Sequence, residues 1–258
     1  MSTADQATAS GSEPLNPAGP ISEMSIEYPV SHRQRVAGLL TVVTVAFLPS
    51  IVASVFRGYR EPISSFSDAY IQFRYFNSLI VELTSLALLA YVIGQNRQKF
   101  SDFGLTFRLR DIVYGILLWA AATCCYRLAY PTILSTCELF GWHRTAPYLP
   151  SSRLGLGLLT YCFVVVNPIY EEMIVRAFLI SETTALIGSS ALAILFSVLL
   201  QTSYHLYQGL PYALAAGVIF LLFSIYYAYS RRIVPVIFAH FIWNLLYHLT
   251  QGRVAGHS

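Results

Sequence analysis

The chain has 258 residues, 55% of them hydrophobic and only 11% charged, with a formal net charge of +3. A water-soluble domain typically carries about 25% charged residues, so this composition excludes an ordinary soluble surface. The small net charge makes no case for nucleic acid as a partner. Mean hydropathy is +0.56, and the apolar stretches are long and continuous. A membrane β-barrel would show short alternating segments instead. The fold class expected is all-α: a polytopic membrane helical bundle.

Residues 1–30 are rich in Ser, Ala, Pro and Gly and show no apolar periodicity, which predicts a disordered N-terminal tail. A cleavable signal peptide is not expected, because the first residues lack basic charge and apolar sequence starts only near Val36. Apolar segments follow at 36–56, 76–94, 111–130, 154–180, 186–206, 211–229 and 232–250. Each is near the ~20 residues that cross a hydrocarbon core, so about seven transmembrane helices are expected. Residues 31–150 then form an N-terminal group of helices and 151–252 a helical core. In the fourth segment Pro168 removes an amide donor and crowds the preceding turn. A break is expected there, with a new helix starting near Pro168. The stretch from Pro131 to Pro150 reads as a loop or a partly embedded helix.

Arg33 and Arg35 precede the first helix. Arg97, Lys99, Arg108 and Arg110 follow the second, and Arg231 and Arg232 precede the last. With seven alternating helices these groups share one side, which the bias of basic loops marks as cytoplasmic. Arg57, Arg60 and Arg74 fall on the opposite side. The protein is therefore expected to be integral to a membrane, a bacterial inner membrane, with a cytoplasmic N-terminus. Cys124, Cys125, Cys137 and Cys162 form no Cys-x-x-Cys pair and read as small packing residues.

Charged and polar groups interrupt the apolar sequence at three places near the C-terminal end. Glu171, Glu172 and Arg176 lie in the fourth segment, Gln201 to His205 close the fifth, and His240 to Asn244 lie in the seventh. Ionised groups at bilayer depth are costly and face the protein interior, where they find partners or do chemistry. Residues four apart on a helix differ by about 40° in azimuth and adjacent ones by about 100°. Glu172 and Arg176 thus share a face and can neutralise each other, while Glu171 points elsewhere. An unpaired buried carboxylate suits a general base. His240 and Asn244 also share a face and can donate two hydrogen bonds to one oxygen, as an oxyanion hole requires. His205 ends its helix and can orient a water with Glu171. These parts suit hydrolysis of a carbonyl compound by activated water. Taken singly, each cluster reads as a structural tie between helices; their joint occurrence carries the functional reading. Glu82, in the second segment, also needs a partner, and a structural pair is the leading expectation. His248 lies near a helix end and reads as interfacial.

The Glu-Glu-x-x-x-Arg at 171–176, the helix ending in His205 and the His-x-x-x-Asn at 240–244 resemble three motifs of one family. This is the CPBP family of intramembrane endopeptidases, which covers CAAX prenyl protease type 2 and bacteriocin-processing enzymes and is also called Abi. The resemblance covers about residues 150–250. The family often has Phe-Arg-Gly where this chain has Val175-Arg176-Ala177. Its second motif is usually Phe-x-x-x-His, and Gln201 stands here at the Phe position. The resemblance implies that Glu171 and His205 activate water while His240 and Asn244 stabilise the oxyanion, with Glu172 and Arg176 in support. The expected substrate is a membrane-associated protein or peptide, a class that includes prenylated peptides. No cofactor is expected to be required. The alternative is zinc held by Glu171, His205 and His240, although no His-Glu-x-x-His is present. Two other readings stay open: a catalytically idle membrane scaffold or immunity protein of the same fold, and a transporter.

Overall fold

The computed structural model describes residues 30–57, 68–142 and 157–254. The expected tail at 1–30 lies outside these except for its last residue. The described residues are helical with no strand. In order they are α1 (His32–Arg57), α2 (Asp68–Gln95), α3 (Arg110–Leu139), α4 (Leu158–Glu171), a π-helical stretch (Glu172–Phe178), α5 (Leu179–Ile187), α6 (Ser190–Tyr204), α7 (Leu210–Ser230) and α8 (Val234–Val254). Four helices are long and apolar enough to cross a membrane: His32–Phe56, Gln72–Gln95, Arg110–Leu139 and Leu210–Ser230.

Three expectations about boundaries need correction. Pro168 sits inside α4 without starting a new helix. The backbone instead departs from α geometry just after it, at Glu172–Phe178. The Glu172–Arg176 pair lies within this stretch. π-helical turns occur mostly as short insertions within α-helices and often mark functional sites. The third helix does not stop at Tyr130 but continues through Pro131 to Leu139. α6 is only 15 residues long.

The π-helical stretch between α4 and α5 is the most completely buried part of the bundle. Met173, Ile174, Val175, Ala177 and Phe178 are all buried, and so are Glu172 and Arg176. A helix covered on every side has no lipid face. By contrast, α1 exposes Leu40, Val45, Leu48 and Val52, and α3 exposes Val113, Ile116 and Leu117. Apolar residues pointing outward are what a hydrocarbon environment selects. α3 packs tightly on α8 through Gly115: a Cβ there would come within 2.8 Å of the Phe238 side chain and 3.0 Å of the Pro235 carbonyl. Small residues permit such close helix approach in membranes.

The basic loops meet at one end of the bundle, as the sequence predicts. The Arg35 guanidinium pairs with Glu182 at 2.9 Å, and Gln98 donates to the same carboxylate at 2.7 Å. Arg232 forks onto both oxygens of the fully buried Asp111 at 2.6 Å. That hydrogen bond raises the guanidinium pKa above its ordinary value. Gly104 (φ +79°) lies against the backbone of Arg231 and Arg232 where no Cβ would fit. Its carbonyl accepts from the Ile233 amide. These contacts tie the loop after α2 to the link before α8.

Candidate active site

Glu171 is 7% exposed and faces the interior. It lies about 20 Å of helix from the start of α4 and about 24 Å from the end of α5, so its carboxylate sits near mid-depth. The unpaired carboxylate expected from sequence is not what is found. Gln201 Nε2 and Tyr204 OH each donate to Oε2 at 2.9 Å, and Asn167 Nδ2 donates to Oε1 at 3.2 Å. Three neutral donors stabilise a charge without cancelling it.

Beside it, Arg176 Nη1 lies 2.6 Å from Glu172 Oε2, both side chains fully buried. The expected i,i+4 pair is present. Arg176 also donates through Nη2 to Gln201 Oε1, and its guanidinium lies over the Phe220 and Phe223 rings. The planar fork of arginine serves two acceptors at once. Gln201 therefore does more than fill the position of a phenylalanine. Its amide oxygen faces Arg176 and its amide nitrogen faces Glu171, linking the ion pair to the carboxylate beside it. Gln201→Leu removes both bonds and leaves buried partners unsatisfied, at about 1–3 kcal/mol each. The variant is expected to melt at lower temperature and to lose roughly tenfold in kcat. Unchanged thermal melting and turnover would show the bridge to be dispensable.

The imidazoles follow. Nδ1 of His205 lies 2.9 Å from the Gln201 carbonyl. A carbonyl only accepts, so Nδ1 carries the proton, and Nε2 of the neutral ring is a free acceptor. Nδ1 of His240 lies 2.7 Å from Glu172 Oε1 and donates to that carboxylate. Asn244 Nδ2 donates to Asn167 Oδ1 at 3.0 Å, which leaves its second amide hydrogen unassigned by this bond. His205 and His240 both interact electrostatically with Glu171 and with each other.

His205 follows the short helix α6. Fifteen residues span about 22 Å, less than the ~30 Å hydrocarbon core, so α6 is too short to cross it alone. The irregular turn that follows is held by the Tyr207 amide donating to Ser54 Oγ of α1 at 2.7 Å. Non-helical backbone is tolerated at depth where protein covers it.

The structure thus joins Glu171, Glu172, Arg176, His240 and Asn244 through hydrogen bonds and ion pairs, with His205 attached at Gln201. Sequence reasoning missed Asn167 and Tyr204. Asn167 lies one helical turn before Glu171 on the same face, and Tyr204 lies three residues after Gln201; these spacings were the available signals. Glu82 is also closer than expected, since Asn167 Nδ2 donates to its Oε1 at 3.0 Å. His248 is half-buried among the rings of Tyr75, Phe163 and Tyr247.

Residues 153–246 match the family model described as type II CAAX prenyl endopeptidase Rce1-like. The likeness to this Rce1-like group lies in that segment. The match begins before α4, ends within α8 and leaves α1–α3 outside. No curated protein and no solved structure matches the chain. The Rce1-like match and the apolar helices together support an integral membrane protein. Among the described residues, no group of three or more His, Cys, Asp or Glu side chains converges as a metal-ligand set. Both carboxylate oxygens of Glu171 already accept hydrogen bonds from uncharged donors.

Proposed function

We propose that the chain is an intramembrane endopeptidase that hydrolyses a peptide bond of a membrane-anchored protein or peptide, with Glu171 as the general base. The observation that carries this reading is the environment of Glu171. It is a buried carboxylate held by three neutral donors, with two imidazoles within electrostatic reach. A water between Glu171 and Nε2 of His205 loses a proton as its oxygen attacks the carbonyl carbon. The new oxyanion takes hydrogen bonds from Nε2–H of His240 and the second amide hydrogen of Asn244. For His240 this requires a proton on each ring nitrogen, Nδ1–H donating to Glu172 Oε1 and Nε2–H to the oxyanion. The proton then passes to the departing amine nitrogen as the C–N bond breaks.

The family points to a CAAX-type substrate, a peptide carrying a prenylated cysteine near its C-terminus. The basic end of the bundle is then the cytoplasmic face. The test is to incubate the purified protein in lipid vesicles with farnesylated and unlipidated versions of one anchored peptide. The expected result is a released fragment, found by mass spectrometry, from the farnesylated version. Absence of cleavage in both would favour a non-enzymatic membrane partner.

The chemistry above uses no metal. Turnover is therefore expected to survive exhaustive chelation. Loss of activity on chelation, restored by zinc, would instead make Glu171, His205 and His240 ligands.

A further inference from the structure

Glu82 is a buried carboxyl group to which the hydrolytic reading assigns no task. It projects from α2, outside the segment that matches the family, and is 5% exposed. Its Oε1 accepts from Asn167 Nδ2 at 3.0 Å, and the same nitrogen donates to Glu171 Oε1 at 3.2 Å. The two carboxyl oxygens therefore lie within about 6 Å of each other, one on each hydrogen of a single amide group. The other side of that amide accepts from Asn244. Asn167 thus holds the proposed base and the proposed oxyanion donor in one frame, and Glu82 is the third group that fixes its orientation.

The two carboxyls differ in their surroundings. Glu171 accepts three hydrogen bonds. Glu82 accepts one, and its Oε2 is buried without a partner. Two carboxylates this close in a poorly polarisable interior do not both stay ionised. The proton goes to the site with fewer donors, and there it sits on the orphaned oxygen. The titratable groups facing Glu82 are Glu171 and Tyr170, both from α4. The titratable side chains of α1 lie only near its two ends. α8 reaches this point through Asn244, and its His240 is engaged by Glu172. His240 is thus already committed to Glu172, and no Lys or Arg among these groups offsets a second negative charge.

We infer that Glu82 is a positioning residue of the site, a neutral carboxylic acid that orients Asn167 so that Glu171 carries the charge. This rests on the reading of Glu171 as the base. When Glu82 ionises at alkaline pH, it competes for Asn167 and places a second charge beside Glu171, and turnover falls.

Infrared spectroscopy of the vesicle-bound protein tests the protonation without any substrate. The wild type is expected to show a protonated-carboxyl band at neutral pH that disappears in Glu82→Gln. Absence of the band, or its persistence in that variant, would overturn the inference whether or not the protein cleaves peptides. Kinetics test the positioning. Glu82→Gln keeps an acceptor for Asn167 and is expected to lower kcat by about threefold, with an alkaline inflection of the wild type missing. Glu82→Leu is expected to lose at least about tenfold in kcat with little change in KM. Equal loss in both variants, or the same pH profile in Glu82→Gln as in wild type, would also overturn it.

Discussion

Glu171→Gln is expected to reduce kcat by roughly 10²–10⁴-fold, the usual range for a positioned general base. The amide keeps the size of the carboxylate but cannot take a proton from water. Its oxygen can still accept from Tyr204 and Gln201, so the bundle should remain folded. On the other side its NH2 would face the Asn167 amide, replacing one hydrogen bond by a donor–donor contact. That costs about 1–3 kcal/mol, well short of unfolding a stable domain. Comparison of kcat and thermal melting in the same vesicle preparation separates the two effects. Near-native turnover in this variant would remove Glu171 from the chemistry.

Arg176→Ala is expected to damage folding as well as activity. The fully buried guanidinium pairs with Glu172, bonds Gln201 and lies over two phenylalanine rings. Its removal leaves the Glu172 carboxylate with His240 and Gln201 without its donor. Removing one partner of a buried ion pair costs about 3–5 kcal/mol. Low yield and a lower melting temperature should accompany the loss of turnover. Arg176→Lys keeps the charge but cannot span both acceptors, so it should fall between the two. Normal melting of Arg176→Ala with lost turnover would instead place the guanidinium in the reaction.

The membrane bundle was legible because lipid imposes a simple rule: long apolar runs with charges confined to loops. The proposed site residues were legible for the related reason that polar groups at depth are expensive. Periodicity also paired Glu172 with Arg176, since i,i+4 geometry survives the π turn. What sequence did not reveal depends on three-dimensional neighbours. Glu171 seemed unpaired because its donors come from Gln201 and Tyr204 on α6, about 30 positions away, with Asn167 the local exception. Gln201 looked like a local packing change because its two partners lie on α4 and the π-helical stretch. The break expected at Pro168 appeared as a π turn beyond it, since burial of the surrounding segment holds the chain helical. Glu82 looked structural because nothing in the sequence placed α2 against α4.

The central claim is that Glu171 and His205 act on the same water. Residues that act as a unit are strongly non-additive when removed. The decisive measurement is kcat for Glu171→Gln, His205→Ala and the double variant on one anchored peptide under identical conditions. A shared water predicts a double variant no slower than the slower single variant, within about threefold. Losses that multiply in the double variant would mean independent roles and would contradict a single site built on that water.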